Sequence, residues 1–253
     1  TKNKSLHLYL QMLCVFMKKI FHSSSTRGEA DHGWLYARHS FCFANFYNPE
    51  RIQFGALRVL NDDTIAPGMG FASHQHDNME IITIPLKGAL EHKDSMANYG
   101  VINADEIQVI SAGTGIYHSE FNKNKDKAVS LLQIWVLPKE QNVTPRYEQK
   151  SIKELKSINS FYPIITPDSD GPAMWIHQDA WFHIGDFEKD TKLDYTLNKK
   201  ENGVYVFLIE GGAEIDGKSL QKRDALGLWD TNKFSIHANS QSRILLIEVP
   251  INY

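Results

Sequence analysis

Histidine and carboxylate spacing is the feature of this sequence most able to do chemistry. Between Gly68 and Asn122, three of the chain's eleven histidines and two of its glutamates stand at metal-ligand spacings. The first group is His74-Gln-His76 with Glu80 after it, and the second is Gly113-Thr-Gly115-Ile-Tyr-His118-Ser-Glu120. On a β-strand, residues two apart project from one face, so His74 and His76 can aim both imidazoles at the same point. His118 and Glu120 repeat that logic on a second strand, and three imidazoles with one carboxylate can then converge on a divalent cation. Such a donor set suits iron, manganese, nickel, copper or zinc without choosing among them. A lone histidine in a strand is usually an ordinary core or surface residue, but two paired groups together are much harder to obtain by chance. One metal is therefore expected here.

The elements around these groups read as β-structure throughout. Glu80 to Leu86 (EIITIPL) and Ile107 to Ile110 (IQVI) are β-rich apolar runs, with Gly88 and the Asp94 to Gly100 segment as turn signals. The two ligand groups thus fall on separate strands of one antiparallel sheet. Ile52 to Leu60 reads as an earlier strand, Leu131 to Leu137 as the one that closes the unit, and Pro138 ends it. The aromatic cluster of Phe41, Phe43, Phe46 and Tyr47 reads as core, with one or two rings free to line the metal pocket. His32, Arg38 and His39 read as polar residues bonding within the sheet or at the pocket rim. Residues 139–156 turn polar and charged and are expected to link two halves.

The second half repeats the first in outline, since Gly203 to Leu208 followed by Gly211 parallels Ile81 to Leu86 followed by Gly88. Aligning those glycines puts Leu197 opposite His74, Lys199 opposite His76 and Gly203 opposite Glu80. His237 falls opposite His118 and Asn239 opposite Glu120. The chelating pair is gone, and the second half is expected to be a structural partner without metal. His177 and His183, six apart, are not expected to form a second site.

Bulk properties exclude several roles. A formal net charge of -3 leaves no electrostatic footprint for direct contact with nucleic acid or an anionic membrane. Cys14 and Cys42 are the only cysteines, too few for a disulfide framework, which suits a reducing, cytoplasmic setting. The apolar run Leu6 to Phe16 is too short to span a bilayer and is followed by Met17-Lys18-Lys19 instead of a cleavage site. Met17 is read as the ordinary start, and residues 1–16 as an upstream extension.

The motifs Gly68-x5-His74-x-His76-x3-Glu80 and Gly115-x2-His118-x3-Asn122 resemble the two cupin motifs, with Gly113 where many cupins have proline. Longer strings resemble the pirin family: FCFANFYNP (41–49), FGALRVLNDD (54–63), EHKDSMANYG (91–100) and QVISAGTGIYHSEFN (108–122). The likeness is close from about Lys18 to Lys139 and looser beyond. It implies an all-β fold of two tandem cupin-type β-sandwich or barrel domains (a bicupin), the first at 17–138 with the metal and the second, degenerate, at 157–253. It implies His74, His76, His118 and Glu120 as ligands of one divalent metal, iron first, with manganese, nickel, copper, zinc and cobalt also open. Many cupins use the first-motif glutamate as a ligand, and Glu80 is assigned here to orienting a ligating imidazole. Likeness to bacterial pirins with quercetinase activity implies a dioxygenase that opens a flavonol such as quercetin with O2 between C2 and C3 and releases carbon monoxide, Glu120 serving as ligand and base. A monomer is expected. Pirins of nuclear origin, redox-sensitive cofactors of transcription factors, imply the alternative of a metal-binding interaction protein without catalysis.

Overall fold

The structure, a computed structural model, describes residues 17–253; the expected extension at 1–16 lies outside the described residues. Its elements are strands, with two short 3-10 turns at Ser24–Thr26 and Lys153–Leu155. In the first half a seven-stranded sheet runs in the order β12 (Arg146–Ser151), β9 (Glu106–Ser111), β6 (Glu80–Lys87), β11 (Val129–Val136), β4 (Leu57–Ile65), β3 (Leu35–His39), β2 (Gly28–Asp31). A four-stranded sheet of β5 (Gly70–His76), β10 (Ile116–Asn122), β7 (Ala89–Asp94) and β8 (Tyr99–Asn103) closes the unit. The second half repeats the plan. Its large sheet is β1 (Lys18–His22), β20 (Ala225–Trp229), β17 (Asn202–Glu210), β22 (Ser242–Pro250), β15 (Trp181–Phe187), β13 (Phe161–Thr166), β14 (Met174–Trp175). Its small sheet is β16 (Lys192–Thr196), β21 (Lys233–Ala238), β18 (Gly212–Ile215), β19 (Lys218–Gln221). No helix among the described residues is long and apolar enough to cross a membrane.

Period-two alternation decides which residues meet. From β6, Ile82 and Ile84 join a buried cluster that draws on both halves, including Val109, Leu132, Phe207 and Leu245, whereas Ile81 packs inside the first unit with Ile110 and Ile116. The two large sheets therefore pack face to face. Each large apolar side chain buried there contributes about 1.5–3 kcal/mol, so this contact holds the halves together more than any linker does.

Two expectations about boundaries need correction. Lys18–His22, assigned to the first domain, pairs antiparallel with β20 in the second half's sheet. Such a crossing is a non-local pairing that no local pattern announces. Within 139–156, Arg146–Ser151 is not linker but an edge strand on β9, running from Arg146 opposite Ser111 to Ser151 opposite Glu106. Its polarity comes from its place at the edge, where the residues are mostly half-buried.

Candidate metal centre

The histidine cluster is built by the pairing of β5 with β10. His118 lies opposite His74, Ile116 lies opposite His76, and a register shift falls between His118 and Glu120. The three rings close on one another, with centroids 4.4 Å apart for His74 and His118, 4.8 Å for His74 and His76, and 5.0 Å for His76 and His118. One ring nitrogen from each lies within 4.8 Å of the others. His74 donates from Nδ1 to the Ala72 carbonyl at 2.8 Å, which fixes the tautomer and leaves Nε2 as a free lone pair. His76 Nε2 and both ring nitrogens of His118 are buried without any hydrogen-bond partner. Buried polar atoms are normally paired, so the orphaned Nε2 of His76 and one of the two orphaned nitrogens of His118, on facing imidazoles, fit a cation that would use them. Burial first, then the neighbouring histidines, lowers the His76 pKa to about 4 and the His118 pKa to about 3. Both rings are neutral at pH 7, as metal ligands must be.

Glu120 stands next to this cluster, fully buried, in a second group with His118 and His92 whose ligand atoms also lie within 4.8 Å of one another. His118 is common to both groups. Gln108 donates to Glu120 Oε1 at 2.8 Å and Gln133 donates to Oε2 at 2.8 Å, with the Thr83 hydroxyl 3.2 Å from Oε1. Oε2, with a single amide on it, keeps acceptor capacity for a cation. His92, opposite Glu120 on β7, is held by Asp94 at 3.1 Å and stacked on Tyr147, and its Nδ1 has no partner. Thr83, His92, Gln108 and Gln133 went unnoticed in the sequence. Three of them had a signal there: each is a polar residue at the centre of an apolar strand.

A cavity of about 210 Å³ opens beside the cluster and is faced by His74, His76 and Glu120 on one side and by Phe43, Phe71 and Trp135 around them. Trp135 meets His76 edge-on at 4.9 Å. His39, on the expected pocket rim, does line this cavity, together with Asn61 and Asp63 from β4. Gly113, at the position where many cupins have proline, has φ +48° and leaves no room for a Cβ against the Val143 carbonyl. Proline, fixed near -65°, could not take this conformation.

Glu80 does not do what was expected of it. Three residues of turn separate it from the end of β5, and on β6 it shares the outward face with Ile82 and Ile84, toward the other half. Its carboxyl accepts from Ser111 at 2.7 Å and from the His177 backbone, not from a ligating imidazole. Burial pushes its pKa up to about 7.

The second half differs from its expected alignment. With Gly88 and Gly211 as common anchors, His92 faces Glu120 in the first half and Ile215 faces Ile236 in the second. His74 faces His118, and Tyr195 faces Phe234. Phe234 and Ile236 therefore stand where His118 and Glu120 do. His237, expected opposite His118, is half-buried on the outer face, paired with Lys192 and Glu214. The donors to Glu120 are replaced in the same way: Val206 pairs with Leu226 and Leu246, as Thr83 pairs with Gln108 and Gln133. These substitutes form one continuous apolar cluster. Lys199 is drawn out to Asp179 at 2.6 Å. His177 and His183 join no histidine cluster among the described residues.

Two tandem cupin-type barrels, with a histidine cluster in the first and an apolar interior in the second, define the class: a bicupin. The family model described as Pirin matches residues 20–136, and that described as quercetinase C-terminal cupin domain matches residues 163–249. The quercetin 2,3-dioxygenase of Escherichia coli K12 is 40% identical over 227 residues, 90% of this chain and 96% of that protein. A pirin-like protein of Caulobacter vibrioides is 36% identical over 222 residues, covering 87% and 95%. The crystal structure of the bacterial pirin YhhW from Escherichia coli in complex with nickel(II) matches with a TM-score of 0.87 at 38% identity, over 92% of this chain and 99% of that one. The chain belongs to the pirin family.

Proposed function

We propose that this protein is a metal-dependent dioxygenase that opens a flavonol such as quercetin with dioxygen and releases carbon monoxide. The observation that carries the reading is the clustering of three imidazoles, two of them with buried orphaned ring nitrogens, beside a cavity that His74, His76, Glu120 and aromatic rings face. The quercetin 2,3-dioxygenase name of a relative at 40% identity supports the choice of reaction. His74, His76, His118 and Glu120 would hold the metal. The donor set admits iron, manganese, nickel, copper, zinc or cobalt, and nickel(II) is the ion in the related YhhW structure. When bound, such an ion supplies Lewis acidity at the substrate hydroxyl.

The chain's own residues do the rest. Glu120 accepts the proton of the flavonol hydroxyl, a general-base role of the kind that contributes about a hundredfold to ten-thousandfold in rate. Gln108 and Gln133, one amide on each carboxylate oxygen, keep that base aimed. Phe43, Phe71 and Trp135 flank a flat ring and keep water away from it. To test the reading, quercetin is mixed with the metal-loaded protein without oxygen while its visible absorbance is followed, and oxygen is then admitted with carbon monoxide detection. The proposal expects a shifted quercetin band on binding and carbon monoxide in step with quercetin loss. A bound complex that consumes oxygen but yields no carbon monoxide contradicts it.

A further inference from the structure

One wall of the cavity carries a row of polar groups, two members of which, Asp63 and His39, make no hydrogen bond to Glu120, the carboxylate beside the histidine cluster. His39 on β3, Asn61 on β4 and Gln133 on β11 lie side by side in one row across the sheet, and Asp63 stands two residues from Asn61 on the same face. Adjacent strands are about 4.8 Å apart, so the row reaches from the amide that holds Glu120 to His39, about 10 Å away across two strand spacings. His39 and Asp63 are each only 3% exposed, yet both line the cavity.

Their bonding leaves polar groups unsatisfied at the cavity. His39 Nδ1 lies 2.9 Å from Asn61 Oδ1, an acceptor only, so the proton is on Nδ1 and the Nε2 lone pair is left over. Asp63 Oδ1 is buried with no partner. Its neighbour Asp62, on the opposite face of β4, forms ion pairs with Arg27 at 3.1 Å and Arg223 at 2.8 Å, and among the described residues no ion pair reaches Asp63. Burial raises the Asp63 pKa to about 8. An unpaired buried carboxyl weakens a fold, so stability does not explain its presence.

We propose that Asp63 and His39 form a subsite for a phenolic hydroxyl remote from the one that meets the metal, and so make the pocket selective for polyhydroxylated aromatic substrates over those with a single hydroxyl. This rests on the flavonol reading and extends it to substrate choice. A cavity of about 210 Å³ is smaller than the 300–1,000 Å³ of most small-molecule sites. It therefore takes one end of a flavonol, with that end's hydroxyl against Asp63 and His39. A site built to bond a hydroxyl discriminates strongly against the analogue that lacks it, because its own polar groups are then left unpaired.

The test compares quercetin with 3-hydroxyflavone, which lacks every hydroxyl except the one at C3. Dissociation constants are measured anaerobically by absorbance on wild type, Asp63→Leu and His39→Gln, all loaded to equal metal content. Wild type is expected to prefer quercetin by about tenfold or more. Asp63→Leu should bring that ratio to within about twofold by weakening quercetin alone, without lowering the melting temperature, because it removes an orphaned carboxyl. His39→Gln, which still offers Asn61 a donor, should also reduce the ratio. A wild type that binds both flavonols equally, or an Asp63→Leu protein that keeps the full preference, overturns this inference and leaves the flavonol reading standing. A wild type that binds neither flavonol overturns both.

Discussion

Glu80→Gln separates a ligand-orienting role from an inter-half one, and its effect can be worked from the structure. The carboxyl is buried, its pKa is raised from 4.5 to about 7 by that burial, and its partners are Ser111 and the His177 backbone. The unfolded chain loses this proton near the ordinary value while the folded protein keeps it to about 7. Over that window the native state binds more protons, and stability falls as pH rises. The contribution is fully present below about pH 4.5 and lost by the time the pH has passed through about 7. One such group makes wild type lose about 2.5 kcal/mol relative to the glutamine variant between about pH 5 and pH 8, from about 1.4 kcal/mol per unit of differential protonation. Every other titrating group, including the depressed histidines, cancels in the difference between the two proteins. Urea unfolding of both proteins at several pH values measures it, and metal content on the same samples gives the second readout. The variant should gain relative stability toward pH 8 and keep its metal. Parallel stability curves, or a variant that loses metal, would refute the placement of Glu80.

Three further outcomes follow from the first barrel. Glu120→Gln, compared with wild type at equal metal content, should cut flavonol turnover by about a hundredfold or more, read as oxygen consumption with quercetin. Gln133→Leu leaves one Glu120 oxygen without its amide and should weaken metal binding by about tenfold to a hundredfold, read by competition with a chelator. His76→Ala should lose most bound metal while the protein stays folded by circular dichroism, whereas His237→Ala, on the outer face of the second barrel, should change metal content not at all.

The histidine cluster and the neighbouring Glu120 were legible because their spacings are local. His74 with His76, and His118 with Glu120, each sit two apart within one strand, so the chemistry shows in a few consecutive residues. Glu80 misled because the turn after His76 breaks the parity; distance in sequence says nothing about face once a strand has ended. Gln108, Gln133 and Thr83 reach Glu120 from three different strands, and which strands neighbour one another is a tertiary fact. The second half's alignment was slipped along the strand: Phe234 and Ile236 fill the places that sequence sliding gave to His237 and Asn239. The crossing of β1 into the second barrel leaves no mark on its five residues, whose local pattern is that of any exposed strand.

The central claim is that one metal, held in the first barrel alone, carries the chemistry. Its most direct test is a titration of metal-free protein with the divalent ion that supports turnover, with carbon monoxide release from quercetin and oxygen read at each addition. The account predicts a linear rise that breaks at a single metal ion per chain, and no rise in His118→Ala. Release of carbon monoxide before any metal is added, or a break at two ions per chain, would contradict it.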